Sequence, residues 1–167
     1  EESKLLTNTS PVIRKKLIEL FGKELYTDNG LDRRLLASHI FNNPKQLKRV
    51  NEIIHPEVNR HFSTWVKRQN TPLCAIESAI LFESSFNKAV DVSLMVYAPK
   101  ELRIKRALSR DAVPKAEIER RINNQMPDEE KKERSDYVIY NDDKRALIPQ
   151  VQYLIHHLLT QKHSSFI

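Results

Sequence analysis

The chain has 167 residues, of which 40% are hydrophobic and 30% are charged, with one cysteine and two glycines. Average usage would give roughly 12 glycines at this length, so no glycine-rich phosphate loop of the form G-x-x-x-x-G-K-[ST] or G-x-G-x-x-G fits within the sequence. The single Cys74 excludes an internal disulfide, and no apolar run is long enough to cross a membrane, which favours a cytoplasmic protein. The net charge of +6 favours anionic partners such as nucleic acids, nucleotides or phosphorylated metabolites.

Helix signals run through the first 41 residues. Ser10-Pro11 combines a capping hydroxyl with proline at the first helical position, and Gly22 is placed to end the helix that follows. Asp28-Asn29-Gly30 predicts a turn, after which an amphipathic segment over 31–41 predicts a second helix.

The next segment, up to residue 70, is also predicted to be helical. Asn43-Pro44 repeats the cap-and-proline signature and starts a third helix. His55-Pro56 is expected to interrupt it, because a residue before proline avoids the helical region. A further helix then carries Val58, Phe62 and Trp65.

Strand patterns appear after Asn70-Thr71-Pro72. Three apolar runs, Leu73–Ile76, Val90–Tyr97 and Tyr137–Tyr140, are more continuous than alternating, as in parallel sheets covered on both faces. Helical patterns separate them, including a basic helix from Pro99 and a last helix that Asp143 is expected to cap. The alternation predicts an α/β fold with an open parallel sheet, and three strands are so few that we expect an N-terminal piece to be missing.

The densest group of candidate functional residues is basic. Arg103, Arg106 and Arg110 are spaced three and four residues apart and share one helix face, and Arg121 and Gln125 follow. Guanidinium groups bind phosphate oxygens and stabilise the charge of a phosphoryl group in transfer. The alternative is a solvated basic helix balanced by its own acids.

Two carboxylates are candidates for the substrate or metal side. Glu77 follows a predicted strand, where open α/β sheets place their ligand crevice, and Glu83 is near enough in sequence to share that site. Either could hold hydrated magnesium or a substrate hydroxyl, and the sequence does not identify the metal ligands.

Two residues of the helical part are weaker candidates. Arg33 follows a turn and could bind an anionic substrate, while Asp32 before it caps a helix. His55 stands at the expected helix break, where a histidine is more often a structural joint than a ligand. Taken alone, both positions favour a structural role.

Several motifs occur in one order along the chain and together resemble the dephospho-coenzyme A kinase family. They are Gly30-Leu31-Asp32-Arg33-Arg34-Leu35-Leu36, Phe41, Ile53-Ile54-His55-Pro56, Ala79-Ile80-Leu81-Phe82-Glu83, Arg103-x-x-Arg106-x-x-x-Arg110-Asp111, Arg121-Ile122-x-x-Gln125 and Ser135-Asp136-Tyr137-Val138-Ile139-x-Asn141. No single motif is decisive, but their order and spacing over roughly residues 11–160 is specific.

The resemblance implies a phosphate-loop kinase fold like that of adenylate kinase, a three-layer α/β/α arrangement with a parallel sheet. It divides the chain into a helical coenzyme-A-binding domain over 1–70, an α/β core over 71–98 and 135–167, and an arginine-rich lid over 99–134. The first strands of the fold are expected to precede Glu1.

The resemblance also implies a reaction: the γ-phosphoryl of ATP moves, with Mg²⁺, to the ribose 3′-hydroxyl of dephospho-coenzyme A. Its substrates are small molecules, not nucleic acid or membrane. The site residues that it implies are lid residues Arg106, Arg110 and Arg103, lid supports Arg121 and Gln125, Asn141 near the adenine of ATP, and Arg33 and His55 on the acceptor side.

Two departures from the family pattern bear on these expectations. The family's phosphate loop and its general-base aspartate do not occur in the chain, so we expect the 167 residues alone not to transfer phosphate. Glu77-Ser78-Ala79 also stands where many members have aspartate and then Pro-Leu-Leu, which affects the choice of metal-side carboxylate.

Three alternatives remain at this point. One is another small-molecule or nucleoside kinase of the same fold, and a second is a pseudo-enzyme that naturally lacks the loop. The third is a basic nucleic-acid-binding module, although aromatic residues are only 7% of the chain and are not interleaved with the basic group, which leaves no platform for base stacking.

Overall fold

The computed structural model describes residues 2–41 and 43–161, and the chain divides into two compact units, Glu1–Gln69 and Asn70–Ile167. The first unit contains helices α1 (Glu2–Thr9), α2 (Pro11–Phe21), α3 (Arg33–Ile40) and α4 (Pro44–Val66) and the short strands β1 (Tyr26–Thr27) and β2 (Gly30–Leu31). The second contains β3 (Leu94–Tyr97), α5 (Lys100–Arg110), α6 (Lys115–Asn123), α7 (Asp128–Arg134), β4 (Tyr137–Tyr140) and α8 (Leu147–Gln161). Short 3-10 helices cover Lys23–Leu25 and Phe86–Ala89.

The predicted helix boundaries of the first unit are confirmed where a capping side chain marks them. Ser10 accepts a hydrogen bond from the amide of Ile13 and Pro11 opens α2, while Gly22 ends it with φ 96°. Asn43 caps α4 in the same way, through the amide of Gln46. The predicted turn connects two antiparallel strands, β1 and β2, which are too short to leave an alternating pattern.

The expected helix break at His55-Pro56 is wrong: α4 runs unbroken over 23 residues with Pro56 inside it. Proline removes one hydrogen bond from a helix. Packing outweighs that loss, because Val50 is buried and Ile53, Ile54 and Val58 pack against the core on either side of the proline. At the centre of that core Ile13, Leu17 and Leu25 are fully buried.

The second unit is a parallel pair of strands with helices. β3 and β4 pair from Leu94 with Tyr137 to Tyr97 with Tyr140, so the predicted parallel sheet is confirmed. The strand expected over Val90–Tyr97 is shorter and begins at Leu94. The buried apolar side chains of this unit come from β4, from the helices and from the residue that follows β3: Phe86, Ala98, Ile104, Ile118, Ile139 and Leu154.

Two further expectations for this unit are wrong. Residues 73–76 form no strand, because no described segment pairs with their backbone and a strand needs a hydrogen-bonded neighbour. Asp143 does not cap α8, which begins at Leu147; it adopts a left-handed conformation with φ 61°. Asp142 instead accepts the amides of Lys144 and Arg145.

Among the described residues no helix is both long and apolar enough to span a membrane.

Candidate functional site

Arg106 lies at the carboxyl end of the parallel strands, at the centre of the candidate site. Its Nη1 donates to the backbone oxygen of Asn141 at 3.1 Å and its Nη2 to Oδ1 of the same residue at 3.2 Å. Nη2 also pairs with the carboxylate of Asp143. The structure therefore brings together Arg106 and Asn141, which the sequence predicts separately, and adds Asp143, which was predicted only as a helix cap.

The loop after β4 is held in place by the sheet and by α8. The amide of Asn141 donates to the oxygen of Tyr97, which extends the β3–β4 pairing by one bond. Gln150 bonds both the amide and the oxygen of Tyr140, at 2.9 and 3.1 Å. The guanidinium of Arg145 lies 3.8 Å from the centre of the Tyr140 ring. These contacts fix the carbonyl and amide oxygens that orient Arg106.

Arg103 and Arg110 lie on the same helix as Arg106 but have different partners. Arg103 pairs with Asp128 at the start of α7, and both side chains are half-buried. Arg110 bonds both oxygens of Asp111 at 2.8 and 3.0 Å, and its side chain is 78% exposed. Arg103 thus joins two helices, whereas Arg110 is held at the surface.

Asp111 connects Arg110 with Arg121. The hydrogen bond from Arg110 lowers the pKa of Asp111, and the charge of Arg121 lowers it further. Arg121 also pairs with Glu117 one turn earlier on α6. Two of the predicted arginines therefore interact with one half-buried carboxylate at the junction of α5 and α6.

Glu83 and Gln125 meet through a residue that sequence reasoning missed, Lys131. The Lys131 ammonium, whose side chain is 14% exposed, lies 3.2 Å from Oε1 of Glu83 and donates to Oε1 of Gln125 at 3.3 Å. It also donates to the backbone oxygen of Ala79 at 2.9 Å. No sequence signal separated Lys131 from its neighbours, because the run Asp128–Arg134 is charged at every position.

The carboxylate of Glu83 is fixed by these contacts. Burial raises its pKa, but the amide of Met126, at 2.8 Å, and Lys131 lower it more, so the net pKa lies below the usual range. Glu77, by contrast, is exposed in the irregular segment 73–78 and is not part of this network. The two acids that the sequence analysis assigned to one site therefore have different surroundings: Glu83 is held by hydrogen bonds, and Glu77 is exposed.

The acceptor-side candidates lie in the first unit. Arg33 is exposed at the first turn of α3, whose cap Asp32 accepts the amides of Arg34 and Leu35 at 2.9 and 3.0 Å. It lines a cavity of about 250 Å³ with Lys4. His55 is half-buried on α4, where burial lowers its pKa, and it does not line that cavity.

The described residues contain no group of three or more His, Cys, Asp or Glu side chains that could hold a metal ion. Mg²⁺ needs few protein ligands when a nucleotide supplies phosphate oxygens.

Comparison with known proteins gives consistent results. Residues 3–146 match the family model for dephospho-CoA kinase. The dephospho-CoA kinase of Bacteroides fragilis is 45% identical over 164 residues, covering 98% of this chain and 80% of that protein. The dephospho-CoA kinase of Porphyromonas gingivalis is 38% identical, covering 96% of this chain and 80% of its own length.

Solved structures agree with the sequence relatives. The crystal structure of TT1252 from Thermus thermophilus has a TM-score of 0.71 at 31% identity and covers 88% of this chain and 75% of that chain. Dephospho-CoA kinase from Campylobacter jejuni has a TM-score of 0.57 at 22% identity, over 98% of this chain and 82% of that chain, which supports the fold alone.

Proposed function

The chain belongs to the dephospho-CoA kinase family, and we propose that its two units supply the acceptor-binding and lid residues of that reaction. The reaction transfers the γ-phosphoryl of ATP to the ribose 3′-hydroxyl of dephospho-CoA and is the last step of CoA synthesis. The observation that carries this function is the family match over residues 3–146, which extends across both units. The expected fold, a phosphate-loop kinase fold with a parallel sheet, is the family's own.

Arg106 is the proposed centre of transition-state stabilisation. Phosphoryl transfer spreads charge over the transferring oxygens, and catalysis consists mainly of positioning and electrostatics. Arg106 is held by two oxygens of Asn141 and by Asp143 at the end of the sheet where open α/β folds bind ligands. When a phosphoryl group enters, its oxygens replace the exposed carboxylate of Asp143.

Arg110 and Arg103 complete the proposed catalytic group in different ways. The guanidinium of Arg110 can turn from Asp111 to a phosphate, since the arginine side chain is exposed and an exposed ion pair is easily replaced. Arg103 acts through its pairing with Asp128, which holds α5 against α7.

The remaining second-unit residues support the nucleotide side. Asn141 is proposed to lie near the adenine of ATP, as the resemblance implies, and its bonds to Arg106 would couple adenine binding to the position of that arginine. Arg121 supports the lid through Asp111 and Glu117, and Gln125 does so through Lys131.

The two candidate carboxylates have different proposed roles, one in contact with the substrate and one in ordering the protein around it. Glu77 is the exposed acid proposed to reach the substrate hydroxyl or a magnesium-bound water, and Glu83 orders the adjoining segment through Lys131. Arg33 and His55 are proposed to face dephospho-CoA. Mg²⁺ is proposed to arrive with ATP, bound to its phosphates. The substrates are small molecules and the proposed compartment is the cytoplasm.

An acceptor comparison tests this function. In an enzyme that joins this chain to a phosphate-binding loop, ATP-dependent product formation is measured with dephospho-CoA, adenosine, AMP and shikimate in turn. We expect kcat/KM for dephospho-CoA to exceed the others at least about 100-fold, because the larger acceptor supplies more binding energy. A preference for adenosine or AMP would instead identify a nucleoside kinase of the same fold.

A further inference from the structure

We propose that Arg145 holds the adenine ring of ATP, which stacks on the side of the guanidinium that is turned away from Tyr140. The inference rests on the proposed function, in which Asn141 lies near that adenine, and it adds the residue on which the base is held. Arg145 lies in the loop between β4 and α8, four residues after Asn141. This loop follows the carboxyl end of a parallel strand, where open α/β sheets bind their ligands.

The guanidinium of Arg145 covers one face of the Tyr140 ring. Its central carbon lies 3.8 Å from the ring centre. Carbon atoms in contact are about 3.5–4.0 Å apart, so a guanidinium at the edge of the ring would lie farther from its centre than this. Arg145 therefore lies over the face of the ring, where a cation is attracted by the aromatic electrons, and its opposite side points away from the sheet residue beneath it.

Arg145 is held over the ring before any ligand enters. Its Nε lies 3.6 Å from Oδ2 of Asp142, and its backbone amide donates to Oδ1 of the same carboxylate at 3.0 Å. The Asp142 side chain is only 11% exposed, and Gln150 bonds both backbone groups of Tyr140. Because the platform is already ordered, a ligand that stacks on it loses little additional conformational entropy of the protein.

The outer side of the guanidinium is accessible and favours a neutral aromatic ring over a phosphate. The Arg145 side chain is 55% exposed although Tyr140 covers one of its sides. The Nε edge faces Asp142, whose negative charge would repel phosphate oxygens that approach this edge. A nucleobase carries no such charge, and guanidinium planes stack on nucleobases and on other aromatic rings.

Asn141 offers a contact for the edge of the same base. Arg106 donates to the two oxygens of Asn141, and among the described residues Nδ2 of Asn141 has no hydrogen-bond partner. This amide group can therefore donate to a ring nitrogen of the base. One loop thus provides a donor for the edge of the base and a platform for its face.

The two arginines near this loop serve opposite ends of ATP. The γ-phosphoryl group and the adenine are the two ends of the molecule, so different side chains must hold them. Arg106 contacts Asn141 at the start of the loop, whereas Arg145 lies two residues before α8 begins at Leu147. Arg106 is therefore assigned to the phosphoryl group and Arg145 to the base.

Steady-state kinetics test the inference in the enzyme that joins this chain to a phosphate-binding loop. The variants are Arg145→Met, which removes the planar cation, and Arg145→Lys, which keeps the charge without the plane. The matched control is Lys144→Met, which changes the exposed neighbouring cation. The KM values for ATP, GTP and dephospho-CoA and the kcat are measured for each protein, and thermal unfolding confirms that each is folded.

We expect Arg145→Met to raise the KM for ATP about tenfold, as stacking and cation–π contacts of this kind predict. The kcat, the KM for dephospho-CoA and all values of the control should change less than twofold. The KM for GTP should rise by the same factor as that for ATP, because every base has a face that can stack. Arg145→Lys should recover at most part of the loss, since an ammonium has no plane.

Saturation-transfer NMR of adenosine with the 167-residue chain gives a second readout that does not depend on turnover. Transfer to the H2 and H8 protons of the base should be clear with the wild type and with Lys144→Met. It should be markedly weaker with Arg145→Met. Equal transfer in all three proteins, or none in the wild type, would overturn the inference.

The kinetic outcomes separate the inference from the proposed function. If Arg145→Met and Lys144→Met have the same KM for ATP, the base is held elsewhere and the kinase function stands. If the KM for dephospho-CoA rises instead, the base on Arg145 is the adenine of the acceptor and the inference is wrong. A lower kcat with an unchanged KM for ATP would make Arg145 a positioning residue for Arg106. If the joined enzyme phosphorylates no dephospho-CoA, the proposed function fails, and the adenosine measurement decides the inference by itself.

Discussion

At the scale of single residues, the proposed role of Arg106 depends on which of its hydrogen-bond partners a phosphoryl group can replace. Two of its contacts are to Asn141 oxygens that the sheet fixes, and the third is to the exposed carboxylate of Asp143. An exposed ion pair contributes little stability and is easily replaced. In the proposed reaction the oxygens of the transferring phosphoryl group replace the Asp143 carboxylate, and the contacts to Asn141 keep the guanidinium in position to stabilise their charge.

Arg106→Ala should lower kcat at least about 100-fold while the KM for dephospho-CoA changes little, because the contact strengthens mainly in the transition state. Arg106→Lys should recover only part of the rate, since an ammonium cannot make the paired contacts. Steady-state kinetics with both substrates, in the enzyme that joins this chain to a phosphate-binding loop, measure this, and Lys105→Ala, an exposed neighbour, is the control. An unchanged kcat with a raised acceptor KM would place Arg106 in substrate binding.

Asp136 joins the starts of the two parallel strands. Its Oδ2 accepts the amide of Ser93 at 2.8 Å and the Ser93 hydroxyl at 2.6 Å. These bonds lower the pKa of Asp136 despite the opposing effect of burial. A carboxyl group with a lowered pKa stabilises the fold above its unfolded-state pKa, and the contribution is lost as the pH falls through the folded-state value.

Asp136→Asn should therefore reduce the free energy of unfolding at neutral pH by about 1 kcal/mol, a low figure for a charged hydrogen bond because the residue is exposed. Below about pH 4 the wild type should lose this advantage and approach the variant. Urea unfolding between pH 7 and pH 3 measures both effects. Asp91→Asn, an exposed acid two residues before Ser93, should reproduce neither; equal losses in both variants would contradict the assignment.

At the scale of elements, Lys131 on α7 contacts two other segments of the chain, residues 79–83 and the end of α6. Its ammonium has three donors, and they meet Glu83, Gln125 and the oxygen of Ala79. Residues 79–83 are thereby tied to the α6–α7 junction, where Arg103 meets Asp128. Lys131 is therefore a positioning residue for the arginine-rich helices.

Lys131→Met and Glu83→Gln should each lower kcat/KM roughly ten- to a hundredfold, because small displacements of catalytic groups are costly. The double variant should lose little more than either single one, since both break the same contact. Lys131→Arg should not restore activity, because a planar guanidinium cannot reach three diverging acceptors. Lys115→Met on α6 is the control, and additive losses would show that the two residues act separately.

The predictable part of the fold consists of elements whose signals are local. Ser10, Gly22 and Asn43 mark helix ends through their own side chains or backbone, and the structure confirms each. Pro56 and the segment 73–76 depend on what lies around them, which local patterns do not contain. Burial keeps α4 helical through its proline, whereas an apolar run without a paired neighbour forms no strand.

The candidate site likewise contains residues that the sequence predicts and residues that only the folded structure identifies. Arg106 and Asn141 were predicted from spacing and resemblance, and the structure brings them together across 35 positions of sequence. Asp143 was predicted only as a helix cap and Lys131 was missed, because their roles arise from contacts distant in sequence. In a run as charged as Asp128–Arg134, only the fold determines that Lys131 is the lysine that meets Glu83 and Gln125.

At the scale of the whole molecule, both glycines are committed to structural tasks in the first unit. Gly22 ends α2 with φ 96°, where its amide donates to the oxygen of Ile18 at 2.8 Å. Gly30, with φ 97°, allows Asn8 to approach the hairpin. Neither is available to bring several backbone amides around a phosphate, which is the task of glycines in a phosphate-binding loop.

The 167-residue chain alone should therefore show no ATP-dependent phosphorylation of dephospho-CoA above background, since nothing in it provides the backbone cradle and lysine that bind the β- and γ-phosphates. It should still bind dephospho-CoA, because the residues proposed for the acceptor side, Arg33 and His55, belong to its first unit. A coupled ADP-release assay and calorimetry measure the two properties on one preparation. Joining the part of the Bacteroides fragilis enzyme that lies outside the match should restore turnover, and near-normal turnover without it would show that another part of this chain binds the phosphates.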